Sequence, residues 1–419
     1  MTSHARSGNR ESGRPGSPAD AARWTPLLFI DRTFGPFFWA KMLSNVGMWV
    51  HSIAAAIVVY QLTRSAFLVG MVSVAQFAPP LLLTPWAGVY ADRGDRRRQL
   101  VLGRCVSAIG VGSLAVWIVT FGLDTRTGAA AVILTALISG LGIAIGVPAE
   151  HALIPALVRP TELQAAVALN AIPLTVARTG GPALGAFLVA TTPPATAFAL
   201  AASLHLLFVL VVSIIPIRNM DRPPNPDHGV LGGLRYLRQH RWAAALIVGV
   251  TTIGIGSEPV ITLMPAIAEV YTDDPRLVGV LASSFGGGAG LAFFLLAVGR
   301  RYLWLPRLGT LGLLMLATSM GGVLVSPTPT SAGISLAVGG VGMTFALTSM
   351  TTLLQQRVPE ALRGRMMALW AVAFLGSRPL AAAATGGLAD AVSLRFSLAT
   401  VVLIVLIGAL ISRPGRMAN

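Results

Sequence analysis

The chain has 419 residues, of which 54% are hydrophobic and only 11% charged, with a mean hydropathy of +0.73. That balance excludes an ordinary soluble protein of this size and reads as a multispanning membrane protein. The formal charge of +15 would suggest nucleic acid in a soluble chain, but here the basic residues cluster between long apolar runs, so they act as topological signals and no nucleic-acid partner is expected.

Residues 1–33 are polar, rich in Gly, Ser, Pro and Arg, and lack the apolar core of a cleaved signal peptide, which predicts a disordered tail. Beyond it, apolar runs long enough to cross a roughly 30 Å hydrocarbon layer as helices fall at 35–60, 67–90, 100–122, 130–151, 164–190, 196–217, 242–267, 277–299, 308–326, 332–355, 365–388 and 394–412. Twelve spans place both chain ends on one side of the membrane. With loops assigned alternately, 23 Lys and Arg fall on the side of the tail against four on the other (Arg64, Arg126, Arg276, Arg395), while Lys41, Arg104, Arg178 and Arg378 lie inside spans. Basic loops are retained in the cytoplasm, so both termini are expected there, in a bacterial inner membrane.

The segment 218–241 holds Pro223, Pro224 and Pro226, then Leu231, Leu234 and Leu237 interleaved with Arg235, Arg238 and Arg241. It predicts a linker with a short amphipathic helix on the inner leaflet. The expected architecture is all-α: a six-helix bundle at 34–217, the linker, a second six-helix bundle at 242–412 and a cytoplasmic tail at 413–419. Arg159-Pro160-Thr161-Glu162-Leu163, entering the fifth span, is echoed by Val358-Pro359-Glu360-Ala361-Leu362 entering the eleventh, as repeated bundles require.

Between the second and third spans runs Gly88-Val89-Tyr90-Ala91-Asp92-Arg93-Gly94-Asp95-Arg96-Arg97-Arg98-Gln99-Leu100. Gly88, Ala91, Asp92, Arg93, Arg96, Arg97 and Leu100 match the signature loop of the major facilitator superfamily, which this stretch resembles. Asp95 and the turn Tyr60-Gln61-Leu62-Thr63-Arg64-Ser65-Ala66 resemble its exporter-like branch, which holds enterobactin exporters and macrolide efflux proteins. The resemblance spans about 34–412. It implies two bundles rocking about a central cavity, with Gly88, Asp92, Arg93, Arg96 and Arg97 clamping the halves on the cytoplasmic side; the alternative is a loop that only sets orientation.

In the fifth span, Ala168, Ala177, Gly181, Pro182, Gly185 and Ala186 keep the spacing of the superfamily's antiporter signature, with Ala at three Gly positions. The resemblance implies exchange of substrate for protons; a generic small-residue packing face reads equally from these residues. The arginine motif usual in the fourth span is absent, since 130–146 carries no charge.

Ionisable residues inside spans are costly and are functional candidates. Glu258 lies in Gly254-Ile255-Gly256-Ser257-Glu258-Pro259, a sequence suited to a broken helix, and is expected to be a proton or substrate-cation site, a structural ion pair, or a group at the outer mouth. Arg178 and Arg378, at roughly symmetric positions, are candidates for an anionic substrate or for pairing with Glu258. His51 is a candidate proton relay, and Asn45, Trp49 and Gln76 are candidate cavity residues. Glu150 and His151 read as interfacial.

No Gly-x4-Gly-Lys-Ser/Thr loop occurs and the one cysteine, Cys105, stands alone, so no enzyme, ATP motor, cofactor or metal is expected. The expectation is a secondary transporter, acting as a monomer on a small molecule in the lipid bilayer, exporting a drug-like or siderophore-like compound against protons. A metabolite importer or uniporter and a non-transporting sensor of the same fold are the alternatives.

Overall fold

The computed structural model describes residues 25–124, 127–170, 172–217, 230–299 and 305–418. The tail 1–24 and the proline stretch of the linker lie outside them. Twelve helical spans follow one another: α1 (Phe34–Thr63), α2 (Ala66–Arg93), α3 (Arg96–Phe121), α4 (Thr127–Leu157), α5 (Leu163–Thr191), α6 (Pro194–Ile214), α7 (Arg241–Thr262), α8 (Arg276–Gly299), α9 (Leu305–Val325), α10 (Pro329–Arg357), α11 (Glu360–Ala391) and α12 (Leu394–Ile411). All twelve are long and apolar enough to cross a membrane.

Local chemistry sets many of the boundaries. Arg64 closes α1 in a left-handed conformation (φ 51°), donating its N–H to Tyr60 O at 2.8 Å. Ser65 then caps α2 by accepting from Leu68 N, and Asp95 caps α3 by accepting from Arg98 N, both at 3.1 Å. Thr328 and Ser331 form a reciprocal capping box at the start of α10, with Pro329 at its first position.

Two spans are broken. The run 164–190 reads as one helix, but α5 consists of Leu163–Leu169 and Ile172–Thr191, with Asn170 capping the first piece. Pro173 lies just past the break, and a proline there disfavours a continuous helix. The interruption expected in the seventh span is present: α7 stops at Ser257, restarts at Pro259, and is followed by a further turn, Met264–Glu269. The linker helix Val230–Gln239 is present too, and its Tyr236 and Leu237 pack, with Trp242, against the core of the second bundle.

In the first bundle α1 packs on α5 and α6, α2 on α4, and α3 on α4 and α6; α7–α12 repeat the pattern. The bundles meet along α2 against α11 and α5 against α8. Lipid gives helices no hydrophobic reason to associate, so close backbone approach must supply the contact. A Cβ on Gly181 would sit 2.5 Å from Trp49 Cβ of α1, and one on Gly386 2.5 Å from Ala66 O of α2.

On the face opposite the termini the bundles are tied by polar contacts. Glu269, after α7, accepts from Tyr60 and pairs with Arg64. Asp390, at the end of α11, accepts from Ser65 Oγ (2.5 Å), Ala66 N (2.8 Å) and Phe67 N (3.1 Å), so a carboxylate of one bundle caps a helix of the other.

Candidate functional site

Two arginines near the middle of their helices mark the centre. Arg178 on α5 lies over Phe285 of α8, 5.3 Å from the ring centroid, and over Trp49 of α1 at 5.6 Å. Its Nη2 reaches Met343 Sδ of α10 at 3.1 Å. Four helices from both bundles therefore converge on one guanidinium. Among the described residues no carboxylate pairs with it.

Arg378 on α11 repeats the theme across the other junction, with its guanidinium 4.4 Å from the ring centroid of Phe77 on α2. It differs in having a counterion. Arg378 Nε donates to Glu258 Oε2 at 2.9 Å, and Thr262 Oγ1, one turn on, donates to Glu258 Oε1 at 3.1 Å. Glu258 is 0% exposed, so it does not meet water at an outer mouth. Pro259 donates no N–H, and the break it makes places the carboxylate against α11. The first bundle has Trp49 beside Arg178 where the second has Glu258 beside Arg378. The symmetry is therefore kept in the cations and broken in the anion.

The antiporter-like face is buried as a packing surface: Ala177, Gly181, Pro182 and Gly185 are all buried, with Gly181 and Gly185 against Trp49 and Val50 of α1. The opposite face of α5 meets α8, where Ala183 N donates to Ser283 Oγ at 3.1 Å. The same helix that carries Arg178 thus bears on both bundles.

Other expected residues are placed less centrally. Asn45 and Gln76 are buried, Gln76 accepting from Ser52 Oγ at 3.2 Å. His51 is 0% exposed, stands edge-on to Phe198, and neither ring nitrogen has a hydrogen-bond partner. In the signature loop, Arg96 donates to Ala152 O at 3.4 Å and Arg97 to Ile215 O, both within the first bundle. A Cβ on Gly88 would meet nothing within 4 Å. The side chains of Asp92 and Arg93, on which the expected clamp depends, lie outside the described residues. An open apolar groove of about 530 Å³ lies beside Ser377, between α2, α7, α11 and α12; no charged residue lines it.

One cluster escaped sequence reasoning. Glu150, which reads as interfacial, is only 4% exposed and lies between Lys41 of α1 (Nζ–Oε1 2.7 Å) and Arg104 of α3. The interfacial reading is corrected because α1, α3 and α4 close over it. The available signal was that the chain's one lysine falls inside a span. Nearby, Ser44 Oγ and His205 Nδ1 lie 2.8 Å apart.

Residues 21–418 match a family described as transmembrane secretion effectors. The enterobactin exporter EntS of Salmonella choleraesuis (strain SC-B67) is 28% identical over 374 residues, covering 86% of this chain and 87% of the relative. EntS of Escherichia coli O81 (strain ED1a) is 27% identical over 375 residues, 86% of each chain. A bacterial homolog of the human lysosomal transporter Spinster, inward-facing and unoccupied, superposes with a TM-score of 0.69 at 14% identity over 95% of this chain and 97% of that one. A D-xylose–proton symporter gives 0.68 at 14% identity over 91% and 97%. At such identities the two structures show a shared fold.

Proposed function

The chain belongs to the transmembrane secretion effector family, secondary transporters of the major facilitator fold, and from that premise we propose that it exports a siderophore-like small molecule across the bacterial inner membrane in exchange for protons. The observation that carries the substrate reading is Arg178, a guanidinium set between two aromatic faces with no carboxylate partner among the described residues. Arg178 is half-buried, and a guanidinium in that setting gains from an anion that joins it. An oxygen-rich, anionic ligand with aromatic surface, as many metal-chelating compounds are, satisfies the guanidinium fork and both rings together. The similarity to enterobactin exporters points the same way.

Charge balance assigns Glu258 its role. Ionised, it neutralises Arg378, and one substrate anion on Arg178 then brings the closed centre to neutrality. Of the roles open to it, the partner of Arg378 fits best, holding α7 to α11. The bundles at 34–217 and 242–412 rock about this centre, with both termini cytoplasmic as the arginine distribution requires. Tyr60, Arg64, Glu269 and Asp390 then form the outer closure, and the loop of Gly88, Asp92, Arg93, Arg96 and Arg97 the inner clamp of the opposite state. Exchange for protons rests on the resemblance of α5 to the superfamily's antiporter signature. The protein works as a monomer.

Binding of a metal-free catechol chelator that also carries a carboxylate, and so is anionic at neutral pH, to the purified protein in nanodiscs tests the site. Losing a charge-assisted bond of about 1.5–3 kcal/mol weakens binding roughly 10- to 150-fold in Arg178→Met. Arg178→Lys retains the charge without the fork and falls between. Equal affinity in parent and Arg178→Met would overturn the assignment.

A further inference from the structure

One side of α11 leads from its first turns, on the face of the termini, to the arginine centre. Arg363, Met367, Trp370, Phe374 and Arg378 recur at three- and four-residue spacing, so they share a helix face. Exposure falls along that row. Arg363 is exposed, Met367, Trp370 and Phe374 are half-buried, and Arg378 is 9% exposed. The opposite side of α11 carries Val372, Gly376 and Leu380, which line the open apolar groove. At 3.6 residues per turn, the surface left on Trp370 and Phe374 is turned inward, away from that groove.

A second row faces it from α10. Met343, Leu347, Thr351 and Gln355 stand about one turn apart, and contacts fix both ends of the row. At the deep end Met343 Sδ is 3.1 Å from Arg178 Nη2, and at the mouth Gln355 Nε2 is 3.8 Å from Met367 Sδ. The two helices run in opposite directions, so the mouth contact sets their register. Thr351, four residues deeper than Gln355, comes level with Trp370, three residues deeper than Met367. Met343 comes level with Arg378 in the same way. The rows thus border an approach that ends at both arginines, on the side away from the Glu269 and Asp390 closure.

This approach is aromatic and holds two spare polar atoms. The rings of Trp370 and Phe374 stack, with centroids 5.6 Å apart and planes at 27°. Trp370 Nε1 and Thr351 Oγ1 are both enclosed, and neither has a hydrogen-bond partner among the described residues. Enclosing such groups unpaired is costly. Phenylalanine and valine would pack against the core of the second bundle without that cost, so packing alone does not account for the indole and the hydroxyl.

We propose that Trp370, Phe374 and Thr351 form a second substrate subsite, which seats an oxygen-bearing aromatic ring of the exported molecule ~12 Å along α11 from Arg378. The ring extends the Trp370–Phe374 stack. The indole N–H donates to one ring oxygen and the Thr351 hydroxyl bonds its neighbour. This subsite belongs to the second bundle and Arg178 to the first. A ligand with an aromatic ring and an anionic arm therefore engages both bundles, and one lacking the ring engages Arg178 alone.

This inference rests on the reading of the chain as an exporter of anionic, siderophore-like molecules, and two probes separate the two claims. One is the metal-free catechol chelator carrying a carboxylate; the other is an aliphatic hydroxycarboxylate chelator with no aromatic ring. The affinity of each is measured with the purified protein in nanodiscs. Trp370→Phe keeps a ring and loses only the N–H, and is expected to weaken the catechol probe roughly 2- to 10-fold. Its thermal midpoint does not fall, because the group removed was unpaired. Thr351→Val repeats that loss, and Trp370→Leu, which also loses the stack, weakens the catechol probe further. The aliphatic probe binds all three variants as it binds the parent. Unchanged affinity for the catechol probe in Trp370→Phe and Thr351→Val overturns the subsite, and the export reading stands if Arg178→Met still weakens both probes. Equal weakening of both probes in the Trp370 variants overturns aromatic recognition and leaves Trp370 a packing residue. A parent protein that binds neither probe overturns the subsite and the reading together.

Discussion

The Asp390 carboxylate gives the sharpest handle on alternating access. It accepts from Ser65 Oγ, Ala66 N and Phe67 N, so the first turn of α2 is capped by a residue of α11 and the cap exists only while the two bundles are closed on that face. Removing a helix cap costs about 0.5–2 kcal/mol, and loss of a carboxylate from a helix N-terminus a further 0.3–1 kcal/mol or so. Asp390 is exposed and solvent replaces part of what is lost, so the net bias of Asp390→Ala is placed at about 1–2 kcal/mol. At a factor of ten per 1.4 kcal/mol, the outward-open population rises about 5- to 30-fold. Because the closed-state cap is what disappears, the shift has one sign only. Double electron–electron resonance between spin labels at Gln61→Cys and Asp273→Cys, with Cys105→Ser, reads it as growth of a longer distance. Asp390→Asn, which keeps one acceptor without the charge, falls between. An unchanged distance distribution in Asp390→Ala would refute the closure role.

Two further outcomes follow from packing and charge. Glu258→Leu leaves Arg378 buried without its counterion and destabilises the protein by about 3–5 kcal/mol, whereas Glu258→Leu with Arg378→Met restores most of that loss; thermal unfolding of the purified variants measures both, and equal single and double losses would show that the two residues act independently. Gly181→Leu forces α5 from α1, since even a Cβ there lies 2.5 Å from Trp49 Cβ; it costs about 1–3 kcal/mol, and a variant as stable as the parent would count against that close approach.

The twelve spans were legible because each is a long, predominantly apolar run bounded by charge or by Gly and Pro. The break before Pro259 was legible because a proline there follows two glycines, a serine and a charge, Gly254-Ile255-Gly256-Ser257-Glu258, a combination suited to an interrupted helix. The break at Asn170 was not, because the run stays apolar through it and its one sign, Pro173, also fits the first turn of a continuing helix. Partnerships were harder. Glu258 and Arg378 lie 120 positions apart, and sequence offered pairing as one alternative among several. Arg178 was visible as a charge in a span, yet its setting against Phe285 and Met343 is supplied by the other bundle. Lys41, Arg104 and Glu150 come from three helices, so their convergence leaves no local pattern; Lys41 and Arg104 read only as charges inside spans and Glu150 as interfacial.

Gradient-driven export of an anionic, siderophore-like compound is what the arginine centre and the family together propose. Inverted membrane vesicles, in which export reads as uptake, test it directly under an imposed pH gradient, acid inside, with a panel of carboxylate-bearing siderophores, macrolides and lipophilic cations. The account predicts that the gradient drives siderophore uptake, that collapsing the gradient stops it, and that lipophilic cations are not moved. Siderophore uptake indifferent to the gradient would contradict the proton exchange, and failure of the parent protein to move any anionic member of the panel would contradict the claim as a whole.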